Sequence, residues 1–191
     1  MNRWITLTLL AALLTFGASA WAASDWNQVD PANSPSARFG HSMIALGDGK
    51  ILLFAGEDGE GNLHNDMYSF ENNDWNEVVP ANDPPAPRRD HRAWARGNKM
   101  YVFGGKGETW LFNDLWSYDS DTNLWTEVTT SGPKPVARYG HSTTPLADGS
   151  ALIFGGTATS GDVLGDLWKL NPDHTYTPLP GSNLEYSHHS A

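Results

Sequence analysis

An all-β chain of repeated, radially stacked antiparallel sheets is what this sequence predicts, and three observations predict it. A histidine-centred segment returns every fifty residues: Arg38-Phe39-Gly40-His41-Ser42, the weaker Arg89-Asp90-His91-Arg92, and Arg138-Tyr139-Gly140-His141-Ser142. After each histidine comes a short apolar run closed by glycine, then an alternating segment, then a third short segment, always in the same order. No stretch beyond the first twenty residues sustains a helical period. A repeat of this size marks one supersecondary unit that cannot bury its own apolar faces and must stack on its neighbours.

Each repeat divides into four strands. The first begins at the histidine and runs, in the first copy, through Ser42-Met43-Ile44-Ala45-Leu46. The second is Lys50-Ile51-Leu52-Leu53-Phe54-Ala55-Gly56, then Met100-Tyr101-Val102-Phe103-Gly104-Gly105, then Ala151-Leu152-Ile153-Phe154-Gly155-Gly156. Continuous apolar runs rich in β-branched and aromatic residues suit strands buried on both faces. The closing glycines allow positive φ and close approach of another chain segment. The third strand is Asn65-Asp66-Met67-Tyr68-Ser69-Phe70, Asn113-Asp114-Leu115-Trp116-Ser117-Tyr118 and Gly165-Asp166-Leu167-Trp168-Lys169-Leu170, whose apolar residues alternate with period two. The fourth is Trp75-Asn76-Glu77-Val78, Trp125-Thr126-Glu127-Val128 and the degenerate Tyr176-Thr177-Pro178-Leu179. Asp48-Gly49, Gly97-Asn98 and Asp148-Gly149 are hairpin turns, because these residues tolerate the left-handed backbone such turns require. Prolines gather between repeats, where no ladder donor is needed.

Four antiparallel strands in about fifty residues, with glycine pairs and tryptophans, describe the blades of a β-propeller. At this point the sequence resembles the kelch-repeat family. The residues that carry the resemblance are Arg-x-Gly-His-Ser at the start, Phe-Gly-Gly in the second strand, Asn-Asp-Leu-Trp in the third and Trp-x-x-Val in the fourth, from about Trp26 to Leu179. The resemblance implies an arc of about three blades, with repeats near 38–80, 89–130 and 138–180, inside a domain at 23–180. It is specific for fold and not for function, since such propellers host adaptors, sugar binders and enzymes.

The N-terminus reads as a separate object. Arg3, the apolar run Ile5 to Phe16 and the small residues at Ala18 to Ala23 form a secretory signal peptide at 1–22, with a secreted or periplasmic destination. Its apolar run is shorter than the roughly twenty residues a bilayer span needs. Residues 181–191 carry no repeat features and are expected to be disordered. The chain has no cysteine, so packing alone must stabilise it and thiolate metal sites and cysteine nucleophiles are excluded. Net charge is −10, and −11 without the signal. This argues against nucleic acid and anionic membranes as partners.

Asp25-Trp26-Asn27-Gln28-Val29 matches a fourth strand but precedes the first histidine, so an extra N-terminal strand belongs to a blade whose other strands lie elsewhere. Three blades are fewer than the four to eight of a closed ring. Closure by a second copy, by missing blades of a longer protein, or an arc that stands open are the alternatives.

Trp26, Trp75 and Trp125 sit at matching positions, as do Trp116 and Trp168, and repetition in register argues for packing between blades. His41, His91 and His141 are expected to satisfy backbone groups between blades, with Gly56, Gly104, Gly105, Gly155 and Gly156 as structural repeat positions. Trp94 and Trp110 have no aromatic counterpart, and Trp110, in a loop, is the better ligand contact. The resemblance implies that Arg38, Arg89 and Arg138 lie near the channel mouth. There they either line a carboxylate-binding surface or pair with a neighbouring blade's Asp66, Asp114 or Asp166. Glu57, Glu108 and Trp110 in the variable loops complete the candidate ligand set. No metal or cofactor is expected. Glu57-Asp58-Glu60 lacks a calcium-loop spacing, and Asp119-Ser120-Asp121-Thr122-Asn123 reads as a turn. A binding module for a protein or glycan is the first functional expectation. A sialic-acid-type mutarotase using Glu57, Glu108 and Arg138 is the alternative implied by resemblance, with a truncated propeller fragment the third. Galactose-oxidase-like chemistry is excluded because it needs a cysteine.

Overall fold

The computed structural model describes residues 28–180, which form three antiparallel sheets without a helix. The signal peptide, Trp26 and the tail 181–191 lie outside the described residues. Gln28 and Val29, the described end of the extra N-terminal strand, belong to no strand.

Blade one contains β1 (Arg38–Phe39), β2 (Ser42–Ala45), β3 (Ile51–Asp58), β4 (Leu63–Glu71) and β5 (Asp74–Val78). Blade two contains β6 (Arg92–Arg96), β7 (Lys99–Lys106), β8 (Leu111–Asp119) and β9 (Leu124–Glu127). Blade three contains β10 (Arg138–Tyr139), β11 (Ser142–Pro145), β12 (Ala151–Ala158), β13 (Val163–Leu170) and β14 (Tyr176–Leu179). The four segments read from each repeat are the four main strands of each blade. The two-residue strands β1 and β10 are additional. They pair with the far ends of β3 and β12, and in blade two a single bridge, Arg89 to Lys106, takes their place.

Those extra pairings exist because the second strand is out of register halfway along. Phe54 opposes Met67, yet Gly56 opposes His64; the same shift falls between Phe103 and Gly105 and between Phe154 and Gly156. Two residues of the third strand therefore stand against one of the second: Asn65 and Asp66 against Ala55, Asn113 and Asp114 against Gly104, Gly165 and Asp166 against Gly155. A bulge of this kind bends the sheet and re-aims side chains. The opposing residue is left-handed in every blade, with φ 60 at Ala55, 65 at Gly104 and 68 at Gly155. The next glycine is forced by contact as well as by conformation. A Cβ on Gly105 (φ 105) would lie 2.8 Å from the His91 Cβ and 2.9 Å from the Arg89 carbonyl.

The apolar core lies between blades, not within them. Leu52, Phe54 and Met67 of blade one meet Met100, Val102, Tyr118 and Trp125 of blade two. Tyr101, Phe103 and Leu115, on the opposite face of blade two, meet Ala151, Ile153, Leu170 and Tyr176 of blade three. Period two in β7 accounts for this: alternate residues serve opposite interfaces. Each fully buried side chain of this size contributes roughly 1.5–3 kcal/mol. Trp94 belongs here too, buried and stacked on Tyr101 at 5.6 Å, so its lack of an aromatic counterpart does not make it a ligand contact. Tyr176 takes the place of Trp125 and packs on Phe103, confirming it as the degenerate fourth-strand copy.

Links between blades are stitched by asparagines. The side chain of Asn82 donates to the Trp125 carbonyl and accepts from its N–H, both at 2.8 Å. Asn33, at the matching place before blade one, holds the Asp74 carboxylate through its backbone and side-chain N–H groups. Near the axis, Asp90 N–H donates to Gly40 O at 2.8 Å and Gly140 N–H to Asp90 O at 2.9 Å. All three residues are left-handed, so Asp90 does a glycine's work in the middle blade.

Candidate functional site

A buried guanidinium pins each bulge. Arg88 Nη1 donates to Gly104 O at 3.0 Å and to Asp114 Oδ1 at 2.7 Å, Nη2 donates to Asp114 Oδ2 at 2.8 Å, and Nε donates to Ala86 O at 3.0 Å. Arg138 repeats the pattern with Gly155, Asp166 and Val136, and Arg38 with Ala55, Asp66 and Ser36. The bulge supplies both acceptors: it turns one carbonyl out of the ladder and moves the aspartate into reach. The planar fork of arginine fits this bidentate geometry. Trp116 and Trp168 finish the arrangement, their indole N–H groups donating to Asp114 and Asp166 at 2.8 and 2.7 Å. Burial works to raise the Asp166 pKa, but the hydrogen bonds from Arg138 and Trp168 outweigh it and hold the carboxyl below its ordinary value.

This corrects three expectations. The middle counterpart of Arg38 and Arg138 is Arg88, not Arg89. The aspartates Asp66, Asp114 and Asp166 belong to the same blade as their arginine, not to a neighbour. And Arg38 and Arg138 are enclosed in the sheet framework, Arg138 completely, so they do not line a ligand surface. Counting three residues back from each histidine gives Arg38, Arg88 and Arg138; that offset was the signal available in the sequence.

His91 and His141 join neighbouring blades through side chains, not backbone groups. His91 packs edge-on against Phe54 at 5.5 Å, and its Nε2 lies 2.8 Å from the Ser42 hydroxyl of blade one. His141 packs the same way on Phe103 at 5.4 Å, with Arg92 at the position matching Ser42. Burial, reinforced by Arg88 and Arg92, pushes the His91 pKa well down; burial with Arg138 and Arg92 pushes His141 down to about 3. Both rings are neutral at pH 7. Among the described residues no group of three His, Asp or Glu side chains is placed to hold a metal ion.

Beyond the bulges the blades differ, and there the remaining candidates come together. Glu57, Leu63, Arg89, Lys106, Glu108 and Trp110 surround a depression of about 510 Å³ between blades one and two. Arg89 Nε forms an ion pair with Glu57 Oε2 at 2.6 Å across the blade boundary, and its Nη1 donates to Asp90 Oδ2 at 3.0 Å. The guanidinium also covers the Phe39 ring at 5.4 Å. Trp110 is 57% exposed and meets Phe112 edge-on at 6.3 Å, while Phe112 lies against the buried Arg88 guanidinium at 4.0 Å. The loop of Lys106 to Trp110 also walls a second depression of about 260 Å³, toward Tyr139, Thr157 and Thr159 of blade three. The first loop is held by Asp58, which accepts from the N–H groups of Glu60 and Asn62; hydrogen bonds from Asn62 draw its pKa down to about 2. Asp58 is thus a turn cap, and Asp119 likewise accepts from Asp121 and Thr122 in a turn.

Of the six ligand candidates, Arg89, Glu57, Glu108 and Trp110 share one surface, while Arg38 and Arg138 stand apart in the framework. Lys106 and Phe39 are further mouth residues that the repeat pattern did not single out. The arrangement offers both charge signs around a flat exposed indole, which is chemistry for recognition through ion pairs, hydrogen bonds and stacking.

The model of the KLHDC2/KLHL20/DRC7 Kelch-repeats domain matches residues 16–185. The chain is 34% identical over 168 residues to the Rho GTPase-activating protein gacHH of Dictyostelium discoideum, covering 83% of this chain and 10% of that protein. It is 36% identical over 104 residues to Kelch domain-containing protein 2 of Bos taurus, covering 49% and 26%. It is 36% identical over 145 residues to the N-(sulfonatooxy)prop-2-enimidothioate sulfolyase of Thlaspi arvense, covering 72% and 41%. The chain thus spans less than half the length of each of these relatives. Three blades of four main strands, a histidine and a pinned bulge in each, and a family match over most of its length make this chain a member of the kelch-repeat family.

Proposed function

We infer that the chain is a protein-interaction module that holds its partner over the mouth between blades one and two. The observation that carries this reading is the convergence of Glu57, Arg89, Lys106, Glu108 and Trp110, from strand ends and a loop that differ between copies, around one depression. A framework repeated in every blade has packing to explain it; a surface found once does not. The exposed indole suits an apolar or aromatic anchor, and the flanking charges suit a peptide segment carrying both signs.

Selection of displayed peptides on the chain, followed by titration against Trp110→Ala and Arg89→Ala, tests the reading. Bound peptides should lose about tenfold or more in affinity with each variant, as anchor residues do. Peptides that bind all three proteins equally would place recognition elsewhere. The sugar-mutarotase alternative called for Arg138 beside Glu57 and Glu108, and Arg138 is consumed by Asp166 inside blade three. Anomer exchange of sialic acid above the uncatalysed rate would restore that alternative.

Export is part of the same reading. It rests on the pattern at Arg3, Ile5 to Phe16 and Ala18 to Ala23. N-terminal sequencing of material from a secreting host should begin within residues 21–24; an intact Met1 would refute export. Among the described residues no helix is long and apolar enough to cross a membrane.

A further inference from the structure

We propose that the two end faces of the arc bind each other in a second copy of this chain, so that two chains close one six-bladed ring. The internal interfaces define what such a contact requires. Each joins a phenylalanine face, made by Leu52, Phe54 and Leu46 in blade one, to a histidine face, made by His91, Val102, Tyr118 and Trp125 in blade two. The same halves meet again between blades two and three as Tyr101 and Phe103 against His141, Ile153, Leu170 and Tyr176.

Among the described residues, each end of the arc carries one half that meets no other blade. Phe54 and Phe103 are 0% exposed, but Phe154, the third copy of that residue, is 44% exposed. Leu146, matching the buried Leu46, is exposed with it. At the other end, His41, Phe70 and Trp75 are only half-buried, where His91, Tyr118 and Trp125 are buried. Met43, at the position of Ala93 in the interface between blades one and two, is 58% exposed. The two faces are not alike; they are the complementary halves of a contact the molecule already makes twice. A second copy continues that interface in register. One departure lies on the phenylalanine face: Lys169 replaces the buried Ser69 and Ser117, and its ammonium is held 3.0 Å from Asp148 in the adjoining turn. The contact is head-to-tail and closes after two chains, giving a twofold ring of six blades, within the usual four to eight.

The mass of the 191-residue chain in solution tests this, by light scattering from about 1 to 100 μM, the range of ordinary specific association. A two-chain mass is expected; one chain throughout, or an open series of larger species, overturns the proposal. Phe154→Asp and Met43→Asp alter exposed residues, so each variant should keep the wild-type circular dichroism while weakening self-association more than about 100-fold, since each spoils both contacts of the ring. Mixing the two variants restores one intact contact, and their mixed dimer should form at least about tenfold more tightly than either variant alone. No gain on mixing shows that like faces meet, which refutes the head-to-tail contact. Lys169→Ser, which returns the residue of the internal interfaces, should tighten association; a weaker dimer would contradict the register. Peptide binding at the mouth is scored separately and is untouched by these substitutions, so this proposal and the functional reading fail independently.

Discussion

Arg88 and Arg89 are chain neighbours with opposite fates, and the contrast between them separates the two regions of this molecule. Arg88 is sealed beneath the bulge on Asp114, in an arrangement that recurs in all three blades. Arg89 stands above the bulge, bridges to Glu57 of another blade, and has Phe39 and Tyr139 as its counterparts. Below the bulge the copies agree because the same packing problem is solved three times. Above it they diverge because nothing in the sheet depends on them. A residue's agreement with its counterparts in the other blades, and not its charge or its nearness to the channel, tells which region it serves.

The sharpest way to break this division is to remove the framework side. Arg88→Ala leaves the half-buried Asp114 and the Gly104 carbonyl without their shared partner and should cost about 3–5 kcal/mol, read from urea denaturation. Phe54→Ala should cost a similar 3–5 kcal/mol, whereas Phe154→Ala, the same change at an exposed copy, should cost less than about 1 kcal/mol in the single arc. Equal losses at the two phenylalanines would deny that the core lies between blades. Gly105→Ala should cost at least about 2 kcal/mol, from its backbone conformation and the encounter with His91.

The histidines sharpen the contrast through pH. Both rings have pKa values depressed from 6.5 by burial, so the unfolded chain binds protons that the folded chain refuses. Stability is therefore whole above about pH 6.5 and declines as the pH falls from there toward 4, by up to about 1.4 kcal/mol per unit for each ring. His141→Gln should flatten that slope, measured by denaturation at pH 7 and pH 5. The smallest effects belong to the mouth. Trp110→Ala should change stability by less than about 0.5 kcal/mol and Arg89→Ala by less than about 1 kcal/mol, while both disturb peptide binding. A large loss of stability from either would move the mouth into the framework.

Period and turn chemistry made the four strands of each blade readable in advance, down to the hairpins at Asp48-Gly49 and Asp148-Gly149. These features are local, and local sequence carries them. What escaped was set by tertiary register. The bulge at Ala55, Gly104 and Gly155 leaves no mark in hydrophobic periodicity. Without it, neither the short strands β1 and β10 nor the pairing of Arg38 with Asp66 in its own blade can be inferred. The double arginine at 88–89 added a one-residue ambiguity that only the offset from His91 resolves. Trp94 shows the converse error: an aromatic without a counterpart looked available for ligands, yet it fills one of the two inter-blade cores because Tyr101 offers it a ring to stack on.

The extra residue in each third strand has a practical consequence. By uncoupling the outer half of the hairpin from the inner half, it acts as an expansion joint: length and composition at 59–62, 107–110 and 159–162 can change without strain reaching the tryptophans below. The molecule is thereby a ready chassis for grafting, with three short segments open to randomisation and a foundation that need not be redesigned for any of them.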